Sequence, residues 1–299
     1  MPSLKDIKRR IKSVKNTRQI TKAMKMVSAA KLKKAQDDIT AARPYAEKML
    51  DFINSLAAKT SADINPLLTP REEVNNIGLI FITSDRGLCG GFNTVLLRTA
   101  ETFLREKSDK KVSLYLVGRR ATEHFKRRDL PVLHSRNAGS GRPAYKSAAE
   151  AAHEAIRLFS VGELDEVYVI YSEFKSVLTQ KPVVRQLLPI AVAGGQSGEE
   201  AGASVVKEAA QEPDIDIIYE PSVEEVLSGL LPKYIEVQVF RALLESSASE
   251  HGARMTSMDS ASKNASDMIG SLTLKYNRLR QAAITKELME IIGGAEALK

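Results

Sequence analysis

Residues 232–292 read PKYIEVQVFRALLESSASEHGARMTSMDSASKNASDMIGSLTLKYNRLRQAAITKELMEII, with no proline after Pro232 and only two glycines, Gly252 and Gly270. Within this stretch Met255, Met258, Ser262, Ala265, Ile269, Leu272, Tyr276, Leu279 and Ala283 alternate by three and four over four heptads, and only Ser262 is plainly polar. That period marks a helix whose seam faces another helix. Ala and Ser beside flexible Met allow close backbone approach and adaptable packing, where a Leu/Ile seam would lock more firmly.

The other end of the chain answers it. Ser3 to Ala58 contains no Gly and one Pro, Pro44. Leu4, Ile7, Ile11 and Val14 follow the same spacing, and the next apolar residues, Ile20, Met24 and Val27, imply a shift of phase. Two helices of roughly 55–60 residues, at ~1.5 Å rise per residue, would each span on the order of 80–90 Å. A compact domain of this size is only a few tens of Å across, so the ends must project, most economically by pairing with each other.

Between them the period changes. Ile77–Thr83, Val112–Val117 and Val167–Tyr171 are short, β-branched or aromatic apolar runs of the kind that form buried strands. Helical stretches at Thr94–Lys107, Ala121–Arg128 and Ala144–Phe159 separate them, and further strands are expected at Val183–Ile190 and Ile215–Tyr219. Strand-helix alternation predicts βαβ units and a mostly parallel sheet covered on both faces. Residues 191–213 are rich in Gly, Ala, Ser and Glu and read as a mobile loop. The fold class is therefore α/β: a helix over 1–60, a Rossmann-like domain over 75–220, and a second long helix over 222–299.

Composition narrows the function. The 299 residues are 43% hydrophobic and 27% charged, ordinary for a folded soluble protein. No apolar run approaches the ~18 residues of a membrane span, and the N-terminus is charged where a signal peptide would be apolar. It resembles an amphipathic presequence only superficially, because the helical pattern runs on past any cleavage site. One cysteine, Cys89, excludes an internal disulfide, and His124, His134, His153 and His251 are too scattered to suggest a metal site. Met1–Gln36 holds twelve Lys/Arg and one acid, a net +11 against +7 for the whole chain, so the remainder carries −4. Such a stripe seeks phosphates, anionic lipid or an acidic protein surface.

Thr83-Ser84-Asp85-Arg86-Gly87-Leu88-Cys89-Gly90-Gly91-Phe92-Asn93 is the sharpest local motif, placed between a strand and a helix. Its glycines could bring backbone amides to an anion. The spacing, however, is neither that of a dinucleotide fingerprint nor of a P-loop, and no Lys follows. A sharp turn with Asn93 capping the next helix is the favoured reading, with Cys89 a small buried thiol. No nucleophile, base and oxyanion donor fall together, so an independent enzyme is disfavoured and no cofactor is expected. Arg254, Arg280 and Gln281 stand on the last helix, where Arg suits bidentate pairing with a carboxylate.

Three stretches carry a family resemblance: Ile11 to Val27 (IKSVKNTRQITKAMKMV), Ser84 to Asn93 (SDRGLCGGFN), and Ser249 to Met258 (SEHGARMTSM) continuing to Tyr276–Ile291 (YNRLRQAAITKELMEI). In identity, order and position over essentially the full chain they resemble the gamma subunit of F-type ATP synthases. The resemblance implies an antiparallel coiled coil of the two terminal helices, entering a ring of three alpha and three beta subunits. The α/β head would stand on the membrane-embedded c ring beside epsilon, with delta elsewhere in the complex. The chain would be the rotating shaft that drives the beta subunits through their catalytic states, with no catalytic site of its own. It implies that the basic helix, with Lys8, Arg9, Arg10, Lys12 and Lys15, faces acidic segments of the beta subunits. Met24, Arg254, Arg280, Gln281, Thr285, Glu287 and Glu290 match positions at or near beta contacts, and the last turns through Ile292 would sit in an apolar sleeve. Tyr219, Glu220 and Pro221 would meet the c ring and epsilon. The cysteine pair of light-regulated members is absent, so thiol control is not expected, and a bacterial protein peripheral on the cytoplasmic side of the inner or plasma membrane is favoured.

The competing reading is a coiled-coil nucleic-acid binder that uses the basic helix on phosphates. It would need a self-complementary zipper beside the basic region, whereas the better heptads lie near the other terminus. A nucleotide enzyme built on the Gly-rich loop lacks a base.

Overall fold

A computed structural model describes residues 3–58, 65–128, 130–139, 141–191, 220 and 222–296. The elements are α1 (Leu4–Ala58), β1 (Asn76–Ile82), α2 (Phe92–Glu106), β2 (Lys111–Val117), α3 (Arg119–Phe125), β3 (Val132–Arg136), α4 (Tyr145–Val161), β4 (Glu166–Phe174), β5 (Gln180–Leu188) and α5 (Val223–Glu296). The strand expected at Ile215–Tyr219, and the loop expected at 191–213 apart from Ala191, lie outside the described residues.

The sheet runs β3-β2-β1-β4-β5. β1 is parallel to β2 and β4, β2 is parallel to β3, and β5 returns antiparallel to β4. β1 shows why the middle reads as a continuous apolar run: Ile77, Leu79 and Phe81 face α2 and α3, while Ile80 and Ile82 face α4. A buried strand covered on both sides cannot alternate with polar residues. β3 went unread in the sequence because its residues, Val-Leu-His-Ser-Arg, are mostly exposed at the sheet edge and form no apolar run.

α1 and α5 run antiparallel. Leu32, Ala35 and Ile39 pack on Leu244 and Ala248, and nearer the tip Lys25 Nζ lies 2.5 Å from Asp259 Oδ1. Nearer the sheet, Ala46, Met49, Ile53 and Leu56 join Leu227, Leu231, Ile235 and Val239 in the core shared with α4.

The α1 seam corrects one sequence expectation. The inward positions hold one heptad phase throughout: Leu4, Ile7, Ile11, Val14, Arg18, Thr21, Lys25, Ser28, Leu32, Ala35 and Ile39 are all buried or half-buried. No phase shift occurs. Ile20 and Val27 instead point outward, at 59% and 57% exposure, with Met26 beside them. Polar residues fill the seam between Arg18 and Ser28, so an apolar count alone jumps to the wrong face.

Candidate functional site in the shaft and at its junction with the head

Where α5 crosses the head, it lies over the carboxyl ends of the parallel strands. In open α/β sheets that crevice commonly receives a ligand. Here its walls include Thr83, Val117, Arg136 and Gly139 from the strand ends and Val239, Leu243, Ser246 and Glu250 from α5, so the chain's own helix occupies much of it. Ser249, fully buried, donates its hydroxyl to the Ser172 carbonyl of β4 at 3.0 Å.

The Gly-rich loop closes over the same crossing. Its carbonyls receive a guanidinium. Arg254 Nη2 donates to the carbonyls of Arg86 and Gly87 at 3.5 and 3.3 Å, and Nη1 donates to Glu250 Oε1 at 2.7 Å. Gly90, at φ 58°, passes so close to α5 that a Cβ there would lie 2.7 Å from Ser257 Oγ. Gly118 is required for a similar reason: at φ 102°, an added Cβ would stand 2.3 Å from the Thr83 carbonyl oxygen. Asp85 ties the loop to the rest of the head, accepting from the amides of Arg119, Ala138 and Gly139 at 2.9, 2.9 and 2.8 Å.

Asn93 does not cap α2, which corrects the sequence reading. The cap position is Gly91, without a side-chain hydrogen bond. Asn93 lies one residue inside the helix and reaches back instead, accepting from the Ser84 amide at 3.2 Å and donating to Ser84 Oγ at 2.8 Å and Cys89 Sγ at 3.2 Å. Cys89 is a buried thiol, its pKa raised by burial. Burial likewise raises the Glu250 carboxyl, although Arg254 opposes the shift, and lowers His251 to about 4, assisted by Arg254 and Lys31.

The other residues expected at partner contacts lie on the part of the two terminal helices that projects from the head. Lys8, Arg9, Arg10, Lys12 and Lys15 are all exposed, and among the described residues only Arg9 of the five forms an ion pair, with Asp6 of its own helix at 3.3 Å. Such an exposed pair within one turn contributes little. Met24 is half-buried beside this stripe. On α5, Arg280, Gln281, Thr285, Glu287 and Glu290 are exposed; Thr285 donates its hydroxyl to the Gln281 carbonyl at 2.9 Å and Glu290 pairs with Lys286 at 3.6 Å. Arg254 stands apart from this set: it is 9% exposed and engaged inside the chain. Glu220 is exposed, while Tyr219 and Pro221 lie outside the described residues.

The Lys25–Asp259 pairing brings Leu4 level with about Arg280, so the last turns of α5 extend beyond α1. Ile284, Leu288, Met289, Ile291 and Ile292 are exposed there. Among the described residues no helix is long and apolar enough to cross a membrane, and no cluster of His, Cys, Asp or Glu could hold a metal ion. The structure thus presents two candidate sites: an apolar tip below a basic stripe on the shaft, and a polar junction binding shaft to head.

The family described as ATP synthase matches residues 3–298. The ATP synthase gamma chains of Trichlorobacter lovleyi and Geobacter metallireducens are each 52% identical, over 301 and 304 aligned positions that cover 100% of this chain and of theirs. Among solved structures, a central-stalk and c-ring chain of Tetrahymena thermophila mitochondrial ATP synthase is 27% identical, with a TM-score of 0.57 over 81% of this chain and 99% of that one. A chain of the Euglena gracilis mitochondrial ATP synthase shares the fold at 20% identity, with a TM-score of 0.68 over 99% of this chain and 94% of that one. Similarity to bacterial gamma chains over the full length, on a fold whose two terminal helices pair, places the chain in the ATP synthase gamma-chain family.

Proposed function

We propose that this chain couples proton flow through the membrane sector to ATP synthesis by turning inside a ring of three alpha and three beta subunits, without a catalytic site of its own. The observation that carries the proposal is the shaft: α5 runs 74 residues, outreaches α1, and ends in exposed apolar side chains that water alone would not favour. An apolar sleeve at the top of the ring would cover them. Lys8, Arg9, Arg10, Lys12 and Lys15 would face acidic segments of the beta subunits, with Met24, Arg280, Gln281, Thr285, Glu287 and Glu290 on neighbouring contacts. Exposed pairs of this kind contribute only ~0–1 kcal/mol each, which lets a moving contact break and re-form. Arg254, matched to the same contacts, would act mainly through the Gly-rich loop that it holds.

The head would stand on the c ring, with Tyr219, Glu220 and Pro221 toward that ring and epsilon, and delta would complete the assembly. Membrane attachment would be indirect, on the cytoplasmic side of a bacterial inner or plasma membrane. In the same place the chain would help to regulate ATPase activity and proton flow.

The test is purification of the tagged chain from membranes, with ATPase and proton-pumping assays of three forms: intact, truncated after Leu279, and with Lys8, Arg9, Arg10 and Lys12 all replaced by Glu. Recovery of alpha, beta and epsilon subunits, with pumping impaired in both variants, is the expected result. Recovery of nucleic acid or of a lone homodimer would overturn the proposal, and unchanged pumping in the charge-reversed form would remove the basic helix from the mechanism.

A further inference from the structure

A rotor must carry torque from head to shaft, and apolar packing alone is poorly suited to that, since it is non-directional and lets a helix roll. Directional ties at the α4–α5 junction are concentrated on one residue. Glu236 is 1% exposed in the middle of an otherwise apolar contact, yet it is fully engaged. Its Oε2 accepts from Tyr145 Oη at 2.5 Å, its Oε1 accepts from His153 Nε2 at 2.9 Å, and Lys233 Nζ donates to both oxygens at 3.0 Å. Tyr145 and His153 belong to α4, so the carboxylate bridges head and shaft. Burial alone would raise this carboxyl, but the hydrogen bonds from Tyr145, Lys233 and His153 hold it below the ordinary range, and it is ionised.

The geometry of the donors is informative. Tyr145 is fixed by an edge-on contact with Phe240 of α5, ring centroids 5.4 Å apart at 74°. His153 and Lys233 are surface side chains, 64% and 55% exposed, that reach inward to one acceptor. Lys233 holds the carboxylate from within α5, whereas Tyr145 and His153 hold it from two points on α4; a buried charge tied twice across the junction selects one azimuth of α5 against α4, in the way that a single buried polar group fixes the register of a coiled coil.

We propose that Glu236 is the clamp that sets the rotational register of the shaft helix α5 against the head, a positioning residue for torque transfer. The proposal rests on the rotor reading above. It separates register from stability: without Glu236, the three donors can all turn to water, so an apolar replacement leaves a folded chain with a looser azimuth.

The experiment uses the assembled, membrane-reconstituted complex carrying Glu236→Leu, Glu236→Gln or the Tyr145→Phe, His153→Ala pair. It reads the thermal midpoint, the amount of assembled complex, and protons pumped per ATP hydrolysed. Glu236→Leu is expected to leave the midpoint level or higher while pumping per ATP falls about 2- to 30-fold, the span of coupling effects from residues that touch neither ligand. Glu236→Gln keeps an acceptor and should recover most of the ratio. If pumping per ATP is unchanged in Glu236→Leu, or falls only in step with the midpoint, the clamp is refuted while the rotor reading stands. Should Glu236→Leu fail to assemble, the Tyr145→Phe, His153→Ala pair decides by the same ratio. An intact chain that does not assemble with the other subunits refutes the rotor reading itself.

Discussion

Between Leu227 and Met258, α5 is buried over most of its surface, with Leu231, Ile235, Val239, Leu244 and Ala248 in the core and Glu236, Glu245, Ser249 and Arg254 buried among them, while Ser228, Gly229 and Lys233 stay exposed. Beyond Asp259 the same unbroken helix keeps only Ala265 buried, with Ser262, Ile269, Leu272, Tyr276, Leu279 and Ala283 half-covered along one line. The head-bound half has many neighbours and so shows no single stripe. The free half has one neighbour, α1, and so shows a heptad. One helix therefore serves as core in its first half and as a slender lever in its second.

The contrast is sharpest in truncation energetics. Leu231 is completely buried in the core shared by α1, α4 and α5. Leu231→Ala is expected to cost about 3 kcal/mol, from lost transfer energy plus the cavity left behind. Leu279→Ala, on the half-exposed seam, should cost no more than about 1 kcal/mol, because little area leaves water there. Thermal unfolding of the purified chain measures both. Equal losses would mean that the lever is as tightly packed as the core.

The junction between the halves should respond to acid. His251 is 8% exposed and its pKa is lowered from 6.5 to about 4, chiefly by burial, with Arg254 and Lys31 adding repulsion. The unfolded chain thus binds a proton that the folded chain refuses between those values. Stability contributed by the neutral ring is present above pH 6.5 and is lost as pH falls toward 4, by on the order of 3 kcal/mol. His251→Gln should flatten that part of the stability-pH curve, which denaturant melts from pH 7 to 4.5 would record. An unchanged slope would place the acid sensitivity at other groups whose pKa folding lowers; Glu250 is not among them, since burial raises its carboxyl and so favours the folded chain as pH falls.

The same contrast governs what the sequence disclosed. The free half of α5 was legible from Met255 onward, because a one-sided helix writes its seam in its spacing, and β1, β2 and β4 were legible as apolar runs. Edge strand β3 left no run to read. The junction was legible as a motif but not in its chemistry: the glycines of Ser84 to Asn93 read as a sharp turn, and nothing in their spacing pointed to Arg254, about 170 positions further on, whose guanidinium the loop's carbonyls hold. The four-residue cluster around Glu236 spans 92 positions and had no local signature at all, since a Glu among Lys and Tyr on a helix ordinarily reads as surface.

The smallest effect tests the seam of α1, where spacing misled. If the apolar residues defined the inner face, Ile20→Ser and Val27→Ser would each open the hairpin and cost on the order of 1–2 kcal/mol. The structure turns both outward and buries Thr21 and Ser28 instead, at 8% and 3% exposure. Each substitution should therefore change the stability of the purified chain by less than about 0.5 kcal/mol, as at an ordinary surface position. A larger loss would show that the helix rolls to follow its apolar residues. A negligible one leaves Ile20, Met26 and Val27 as an apolar strip facing away from α5, and impaired pumping in an Ile20→Ser complex of unchanged stability would then identify that strip as a surface used by the ring rather than by the shaft itself.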